Sequence, residues 1–453
     1  MDRKTLNKEI LRLAIPSILA NITVPLVGMV DTAVAGHVPA GDGLWTAAAF
    51  IGSISVGSMM LNLIYWMMGF LRTSTGGLTA QAFGRDDLRE AGRICGRAVG
   101  IALIAAAVIL LLRVPFAKLS LMVVKSSPEV HDLALRYFLI RIWAAPATLG
   151  LMAFRGWFVG MQDSMSSMFT DLIINVVNIA ASIMLSLGIG NWGGMGFDGI
   201  ATGTVIAQFT GLAYALAICI FKYGHRVFGG LRISDCFREG EMRGFLAMNA
   251  DLMGRSFFFT VIYMGFTMIA ATFGDIYLAC SSIMMTLLML FSYFTDGFAY
   301  AGEALTGRFI GAGDRMMTSM SVRYVFVWSM AIAVLFMGVY AISGTPMLRL
   351  ITSDGSVVEA CREFIPWLIL MPPLGCAAFT WDGIYLGATE SKGIRNGMAL
   401  AMVSFLGVWY VGKIILQPSG APALHLLMAA YFAHLLARTV YLTVRWRALS
   451  SKF

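Results

Sequence analysis

The stretch ILRLAIPSILANITVPLVGMVDTAVAGH, residues 10–37, decides the fold. It is apolar and exceeds the ~20 residues that a helix needs to cross a bilayer. It nevertheless contains a carboxylate, Asp31, and two prolines, Pro16 and Pro25. A charge at membrane depth costs about 3 kcal/mol or more, and a proline in a helix removes a hydrogen bond and clashes with the preceding turn. The combination predicts a membrane helix that bends beside a hydrated proton or cation site.

The composition of the whole chain is that of a polytopic α-helical membrane protein. Of its 453 residues, 58% are hydrophobic and 13% are charged, whereas a soluble protein has roughly 25% charged residues. The mean hydropathy is +0.77. The net charge of +8 comes from loops between apolar runs, which indicates membrane topology and not nucleic-acid binding. The first run is too long for a signal peptide and no small-residue cleavage site follows it, so we expect it to be retained.

Motifs of enzymes and nucleotide-driven pumps are missing from the sequence. It has no Walker A, GxSxG or HExxH pattern, so we predict neither an enzyme nor a bound cofactor, and no metal besides Na⁺ at Asp31. The six cysteines are scattered and none has CxxC spacing. That spacing favours small apolar packing residues over metal ligands or a disulfide.

Apolar runs between charged or Gly/Pro-rich breaks predict about twelve membrane spans. The runs cover residues 10–36, 46–71, 92–112, 133–160, 167–188, 196–221, 244–272, 277–307, 320–343, 362–388, 396–416 and 422–444. We expect spans two and eight to continue as helix into the loops that follow them.

Basic residues predict the orientation of these spans. If the N-terminus is cytoplasmic, most of the 33 Lys and Arg lie on the cytoplasmic side. The odd-numbered loops hold about six: Arg113, Lys118, Lys125, Arg349, Arg362 and Lys413. This asymmetry satisfies the positive-inside rule and predicts a multi-pass inner-membrane protein with both termini in the cytoplasm.

An internal repeat divides the chain into halves. A shift of 227 residues aligns AFRGWFVGMQDS (153–164) with TWDGIYLGATES (380–391), and TAQAFGRDD (79–87) with TGRFIGAGD (306–314). The alternative is that similar loops recur by chance. With six spans in each copy, the repeat predicts two pseudo-symmetric, parallel lobes. We place their bounds at 1–225 and 244–453, joined by a cytoplasmic linker at 226–243.

Asp31 is the leading candidate for an ion or proton site. At 1.5 Å per residue it lies about 32 Å along the helix from Ile10, in the outer half of the membrane. Burial favours the protonated carboxyl group, and neutral oxygens beside it are able to help hold Na⁺. Asn175, Asn178 and Ser182 share one helix face and are suited to that role. The alternatives are a helix-end carboxylate that faces the loop, and amides that only join neighbouring helices.

The second half also has carboxylates at membrane depth. Asp251 and Arg255 are spaced i, i+4 and are predicted to pair within one helix. The repeat aligns Arg155 with Asp382, which suggests a salt bridge between the halves. The remaining carboxylates, on one helix face seven residues apart, are Asp296 and Glu303.

Six segments together resemble a known transporter family. They are LRLAIPSILAN (11–21), VDTAVAGH (30–37), TAQAFGRDD (79–87), NADLMGR (249–255), DGFAYAGEALTGRFIGAGD (296–314) and WDGIYLGATES (381–391). Over nearly its full length the chain resembles the multidrug and toxic compound extrusion (MATE) transporters, especially the branch named for the DNA-damage-inducible F protein. The resemblance implies twelve helices in two six-helix lobes, and efflux of organic solutes driven by inward H⁺ or Na⁺ flow.

The resemblance also implies a site in the first lobe. The family's ion-binding aspartate and its helix-bending proline match Asp31 and Pro16, and the family's helix-five asparagine matches Asn178. The family's aspartate four residues later is Ser182 here, and its helix-six threonine is matched by Thr204. With one carboxylate fewer, a proton fits better than Na⁺. In another branch, carboxylates on helices seven and ten serve the ion, which makes Asp251 and Asp382 second-lobe candidates.

We therefore predict a secondary antiporter, acting as a monomer, that exports amphipathic or cationic compounds in exchange for H⁺ or Na⁺. Neutralisation of Asp31 would let helix one bend at Pro16 or Pro25 and release the substrate. The 31 Met, 30 Phe and 10 Trp permit an adaptable apolar cavity. The alternative is a flippase for lipid-linked or anionic precursors, which would need more Arg and Lys at depth. A receptor would need larger extramembrane domains.

Overall fold

The structure is a computed structural model, and it describes residues 2–38, 47–123, 127–188, 192–229, 232–237, 239–352 and 354–451. These residues are almost entirely helical. The helices are α1 (Arg3–His37), α2 (Ala47–Met67), α3 (Phe70–Gly84), α4 (Leu88–Val123), α5 (Pro128–Arg141), α6 (Ala145–Gly160), α7 (Ser164–Leu187), α8 (Phe197–Ile218), α9 (Ile233–Cys236), α10 (Glu239–Ala270), α11 (Asp275–Gly311), α12 (Arg315–Ile351), α13 (Gly355–Arg362), α14 (Ile365–Gly387), α15 (Ser391–Leu416) and α16 (Ala421–Leu449).

The predicted spans are confirmed by the helices of the described residues. Eleven stretches are long and apolar enough to cross a membrane, and α13 with α14 makes a twelfth that is bent by 57°. α2 and α3 form one span, as do α5 and α6. Helices α11 and α12 extend beyond their apolar runs. Because the Asp314 side chain accepts the backbone N–H of Met317, it caps α12 at a point that hydropathy does not mark.

Proline does not interrupt α1. The helix continues from Arg3 to His37 through both Pro16, which is buried, and Pro25, which is exposed. Near Pro16, the Ser17 hydroxyl donates to the Leu13 carbonyl at 3.0 Å. This bond gives the Leu13 carbonyl a second donor, whereas the carbonyl that loses its helical donor to Pro16 is that of Arg12. The use of either proline as a hinge stays a prediction.

The internal repeat has a counterpart in the backbone. Asp86 and Gly313 have φ of 59° and 70°, and Gln162 and Thr389 have φ of 62° and 55°. Both pairs are separated by the same 227 residues as the sequence repeat. Positive φ is uncommon outside glycine, so these two matched turns are evidence that the copies fold alike.

Close helix contacts also follow the repeat. A Cβ at Gly156 would overlap the Arg72 carbonyl, and a Cβ at Gly383 would overlap the carbonyl of Ala299. Glycine is needed here because the backbones of α6 and α3, and of α14 and α11, approach too closely for a side chain.

A reciprocal contact joins α3 and α11. A Cβ at Gly84 would overlap the Arg308 carbonyl, and a Cβ at Gly311 would overlap that of Gln81. The repeat aligns Gly84 with Gly311 and Gln81 with Arg308. In each copy of the repeated segment, the glycine therefore contacts a backbone carbonyl of the other copy.

Two compact units make up the chain. The N-terminal unit comprises Leu19–Thr79 and Asp87–Arg243, and the C-terminal unit comprises Met1–Ile18, Ala80–Asp86 and Gly244–Phe453. Each contains its own cluster of buried apolar side chains. The division falls within α1, which the sequence assigned entirely to the first lobe; the lobe bounds 1–225 and 244–453 stay a prediction.

Part of the predicted linker is packed in the N-terminal unit. In α4, Arg97 donates to the Cys236 carbonyl at 2.8 Å and forms an ion pair with Glu241. A Cβ at Gly96 would meet the Cys236 sulfur at 2.6 Å. The described residues of 226–243 therefore include a helix, α9, that is fixed against α4.

Candidate functional site

Asp31 is buried within the N-terminal unit. It lies on α1 and is 2% exposed. The Ser182 hydroxyl on α7 donates to Asp31 Oδ1 over 3.5 Å, which is long for a hydrogen bond between oxygens. Within the described residues, no closer hydrogen bond reaches this carboxylate. Its oxygens are thus left able to bind a proton or ion.

The other predicted partners of Asp31 form a continuous polar chain. The Ser182 hydroxyl, which has one proton for two acceptors, also lies 3.4 Å from the Ile200 carbonyl, and Thr204 donates to the same carbonyl at 3.2 Å. Asn178 Nδ2 donates to Thr204 Oγ1 at 2.9 Å. These side chains are at most 3% exposed. The structure therefore brings Asp31, Asn178, Ser182 and Thr204 together.

Close packing of α7 on α8 makes this chain of contacts possible. A Cβ at Gly203 would meet the Ser182 backbone N at 2.6 Å, so glycine lets the helices approach. Asn178 Oδ1 is buried and has no hydrogen-bond partner among the described residues. A buried acceptor without a partner is unusual. It is an oxygen that a bound proton donor or cation could engage.

Asn175 has a different partner from Asn178. One turn earlier on α7, its Nδ2 donates to Thr23 Oγ1 on α1 at 2.5 Å. Both side chains are half-buried. The predicted polar face of α7 is therefore divided: Asn175 binds α1 directly, and Asn178 binds α8.

Arg141 is a charged residue at membrane depth whose place in the site was not predicted. It interacts electrostatically with Asp31. It lies at the end of α5, where its guanidinium donates to Ser58 Oγ at 3.2 Å and to the Tyr137 hydroxyl at 2.5 Å. Its position inside the fourth apolar run indicates a partner elsewhere in the fold, because an arginine at membrane depth needs a compensating group. Arg141 forms no ion pair with Asp31 among the described residues, so it offsets the charge of this carboxylate only in part.

The predicted pair of Asp251 and Arg255 is wrong. Asp251 binds Arg395 of α15 at 2.5 Å and accepts a hydrogen bond from the Ser391 hydroxyl at 2.8 Å. The start of α15 packs beside α10 and supplies both groups. Spacing within one helix could not reveal partners about 140 residues away.

The predicted salt bridge between Arg155 and Asp382 is replaced by bonds within each unit. Asp382 forms ion pairs with Arg255 and with Arg438, the latter at 2.6 Å. Arg155 pairs with Asp171 at 2.5 Å. The alignment of repeats indicates equivalent positions and not contacts. Asp382 faces two cations and Asp251 faces one, so both are compensated without a bound ion.

The last two carboxylates of the C-terminal unit lie on α11. Asp296 is half-buried and interacts electrostatically with Tyr293. Glu303 is fully buried, and its backbone carbonyl would meet a Cβ at Gly387. Their part in ion coupling stays a prediction.

Asp251→Asn tests whether the C-terminal unit takes part in coupling. We expect ion-coupled transport close to that of the unchanged protein, because an asparagine keeps the Ser391 contact and Arg395, 39% exposed, is hydrated. Loss of a charged hydrogen bond should lower stability by about 1–2 kcal/mol. Transport into vesicles and thermal loss of monomer in detergent measure the two effects. A folded variant that no longer responds to the ion gradient would assign coupling to Asp251.

The helices define a polytopic α-helical membrane protein with a buried polar cluster in its N-terminal unit. A family model described as MatE matches residues 16–184 and 252–413. The chain therefore belongs to the MatE family, the multidrug and toxin extrusion transporters. Its members are transporters and not enzymes; they use ion coupling, need no cofactor and bind small organic substrates within the membrane.

Relatives and solved structures agree with that assignment. The chain is 33% identical over 399 residues to DNA damage-inducible protein F of Escherichia coli, covering 88% of this chain and 84% of that one. It is 20% identical to the probable multidrug resistance protein NorM of Thermotoga maritima, with 89% and 83% covered. A crystal structure of MATE in the bent conformation matches with a TM-score of 0.84 at 16% identity, covering 99% and 96%. An outward-facing MATE family transporter matches equally well, at 15% identity.

Proposed function

We propose that the protein is a secondary antiporter that exports amphipathic, cationic organic compounds in exchange for protons, with Asp31 as the coupling site. The observation that carries the proposal is the burial of Asp31 with a long bond from Ser182 as its nearest hydrogen bond. A buried ionised carboxylate is costly, and protonation or a bound cation removes that cost. If the proton and the cationic substrate compete for the Asp31 carboxylate, then binding of one releases the other, which is the exchange that an antiporter performs.

The electrostatics of the site favour H⁺ over Na⁺. The cluster holds one carboxylate, and its remaining oxygens are the neutral groups of Asn178, Ser182 and Thr204. The interaction with Arg141 weakens the binding of any cation at Asp31, a proton included, so the choice between H⁺ and Na⁺ rests on the number of ligands. Sodium needs several oxygen ligands and net negative charge, whereas a proton needs one carboxylate oxygen. Proton coupling is therefore the better match.

The proposed conformational step lies in α1. Protonation of Asp31 removes its attraction to Arg141 and weakens the tie between the end of α5 and the outer half of α1. Pro16 and Pro25 each remove a backbone hydrogen bond from that helix, so bending is concentrated near them. Bending would change how α1 packs near α7 and α8 and release the substrate outward.

The substrate class and location rest on composition and on relatives. The Thermotoga maritima relative is named as a probable multidrug resistance protein, and the chain is rich in Met, Phe and Trp, which suit adaptable binding surfaces. From the distribution of Lys and Arg we infer an inner-membrane protein with both termini in the cytoplasm. We also propose that it acts as a monomer.

Transport in proteoliposomes tests the proposal, with proton and sodium gradients imposed separately. We expect efflux of a cationic fluorescent dye to respond to the proton gradient and to be unchanged by sodium. A protonophore should abolish the response, while vesicles without protein give the background. A response to sodium alone would reject proton coupling, and a response to neither gradient would reject the antiporter.

A further inference from the structure

Two cysteines far apart in sequence meet in the core of the C-terminal unit. Cys280, near the start of α11, and Cys361, near the end of α13, are both 0% exposed. Their sulfur atoms are 3.0 Å apart, which is about 1 Å longer than a disulfide bond. Cys280 Sγ also lies 3.7 Å from the Val357 carbonyl on α13. The thiols therefore face each other across one helix contact.

Both cysteines lie toward the outer face in the proposed orientation. Cys280 follows the turn that joins α10 to α11, and Cys361 belongs to the short helix that follows α12. These are odd-numbered connections, which the positive-inside rule puts outside the cytoplasm. Disulfides form and persist on that side of the membrane.

We propose that Cys280 and Cys361 are joined by a disulfide in the folded transporter. The oxidant is a protein disulfide of the extracytoplasmic space. One cysteine thiolate attacks that disulfide and forms a mixed disulfide, and the second cysteine then displaces the oxidant. The two cysteines lose two protons and two electrons, and the oxidant leaves as a dithiol. This thiol–disulfide exchange takes place before α11 and α13 pack together, since both sulfurs are inaccessible in the folded unit.

The proposed disulfide would stabilise the position of α13, a helix that is not stable by itself. With eight residues, α13 is too short to be stable alone. Its buried side chains are Val357, Val358 and Cys361, and it meets α14 at the 57° bend. A covalent link from Cys361 to α11 would keep the outer part of this broken span in place. Spacing gave no sign of the link because 81 residues separate the cysteines.

Counting free thiols tests the inference. The chain is produced in cells whose thiols are trapped by acid, then denatured and labelled with maleimide-linked polyethylene glycol, with and without prior reduction. Six cysteines are present, so a disulfide gives four adducts before reduction and six after it. Cys361→Ala should give five under both conditions, and the control Cys376→Ala should give three and five.

Six adducts without reduction would overturn the pairing. The inference rests on the proposed orientation, so an alkaline phosphatase fused to the C-terminus measures that orientation separately; the enzyme is inactive in the cytoplasm. Unpaired thiols in a chain with a cytoplasmic C-terminus would reject the disulfide and leave the proposed antiport untouched. Three adducts before reduction in Cys361→Ala, against four in the unchanged protein, would likewise reject it, because the disulfide would then join two other cysteines.

Discussion

Asp31→Asn is expected to reduce proton-driven export to the level of vesicles without protein, while the variant reaches the membrane in normal amounts. Asparagine has the size of aspartic acid but cannot gain or lose the proton. It resembles the neutral form of the carboxyl group, so the site should stay in the state that releases substrate. The change also leaves the buried Arg141 without the charge of Asp31, so some loss of stability is expected, and the amount of folded variant is measured alongside transport. Dye efflux under an imposed proton gradient measures the loss.

Asp251→Asn is the matched control for this experiment. It removes a carboxylate of similar burial, 8% exposed against 2% for Asp31, but one that Arg395 already compensates. Normal amounts of both variants, measured by immunoblot, exclude a folding defect. If Asp31→Asn still exports the dye in response to the proton gradient, then Asp31 is not the coupling site.

Replacing the glycines at the close helix contacts should have the largest effect on stability. In Gly383→Ala the new Cβ would overlap the Ala299 carbonyl, and in Gly156→Ala it would overlap that of Arg72. Backbone atoms cannot turn aside as a flexible side chain does, so the helices must separate. Overpacking of this kind should destabilise each unit by about 3 kcal/mol. The temperature at which monomer is lost in detergent should fall for both variants.

Gly407→Ala is a control for which we expect a gain in stability and not a loss. Nothing lies within 4 Å of a Cβ at Gly407, and alanine favours helix over glycine by roughly 0.5–1 kcal/mol. We therefore expect this variant to be slightly more stable than the unchanged protein. If all three substitutions changed stability alike, helix propensity and not backbone contact would govern these positions.

The sequence was sufficient for the number and order of the spans, because crossing a bilayer requires an apolar run of known length. It was weaker at helix ends. Asp314 caps α12 through its side chain, so the helix begins outside the apolar run. The internal repeat was also detectable in the sequence. The close helix contacts require glycine in both copies, and the matched turns restrict the residue types allowed at their positions.

The candidate site was predictable only where its residues share a helix or a family motif. Asn178 and Ser182 lie on one face of α7, and the first-helix pattern marks Asp31. The role of Arg141 was not predicted because its interaction with Asp31 joins two helices whose residues are 110 positions apart in the sequence. Tertiary packing also explains why Asp251 pairs with Arg395 of α15 and not with Arg255, the partner predicted from spacing.

The reciprocal contact of Gly84 and Gly311 has the form of an interface between identical subunits. In a twofold-symmetric dimer, residue i of one subunit meets residue j of the other, and j meets i in return. Gly84 meets Arg308, and Gly311 meets Gln81, which are the same two positions with their roles exchanged. The chain thus contains, within one polypeptide, a self-complementary contact of the kind that joins the subunits of a twofold-symmetric dimer.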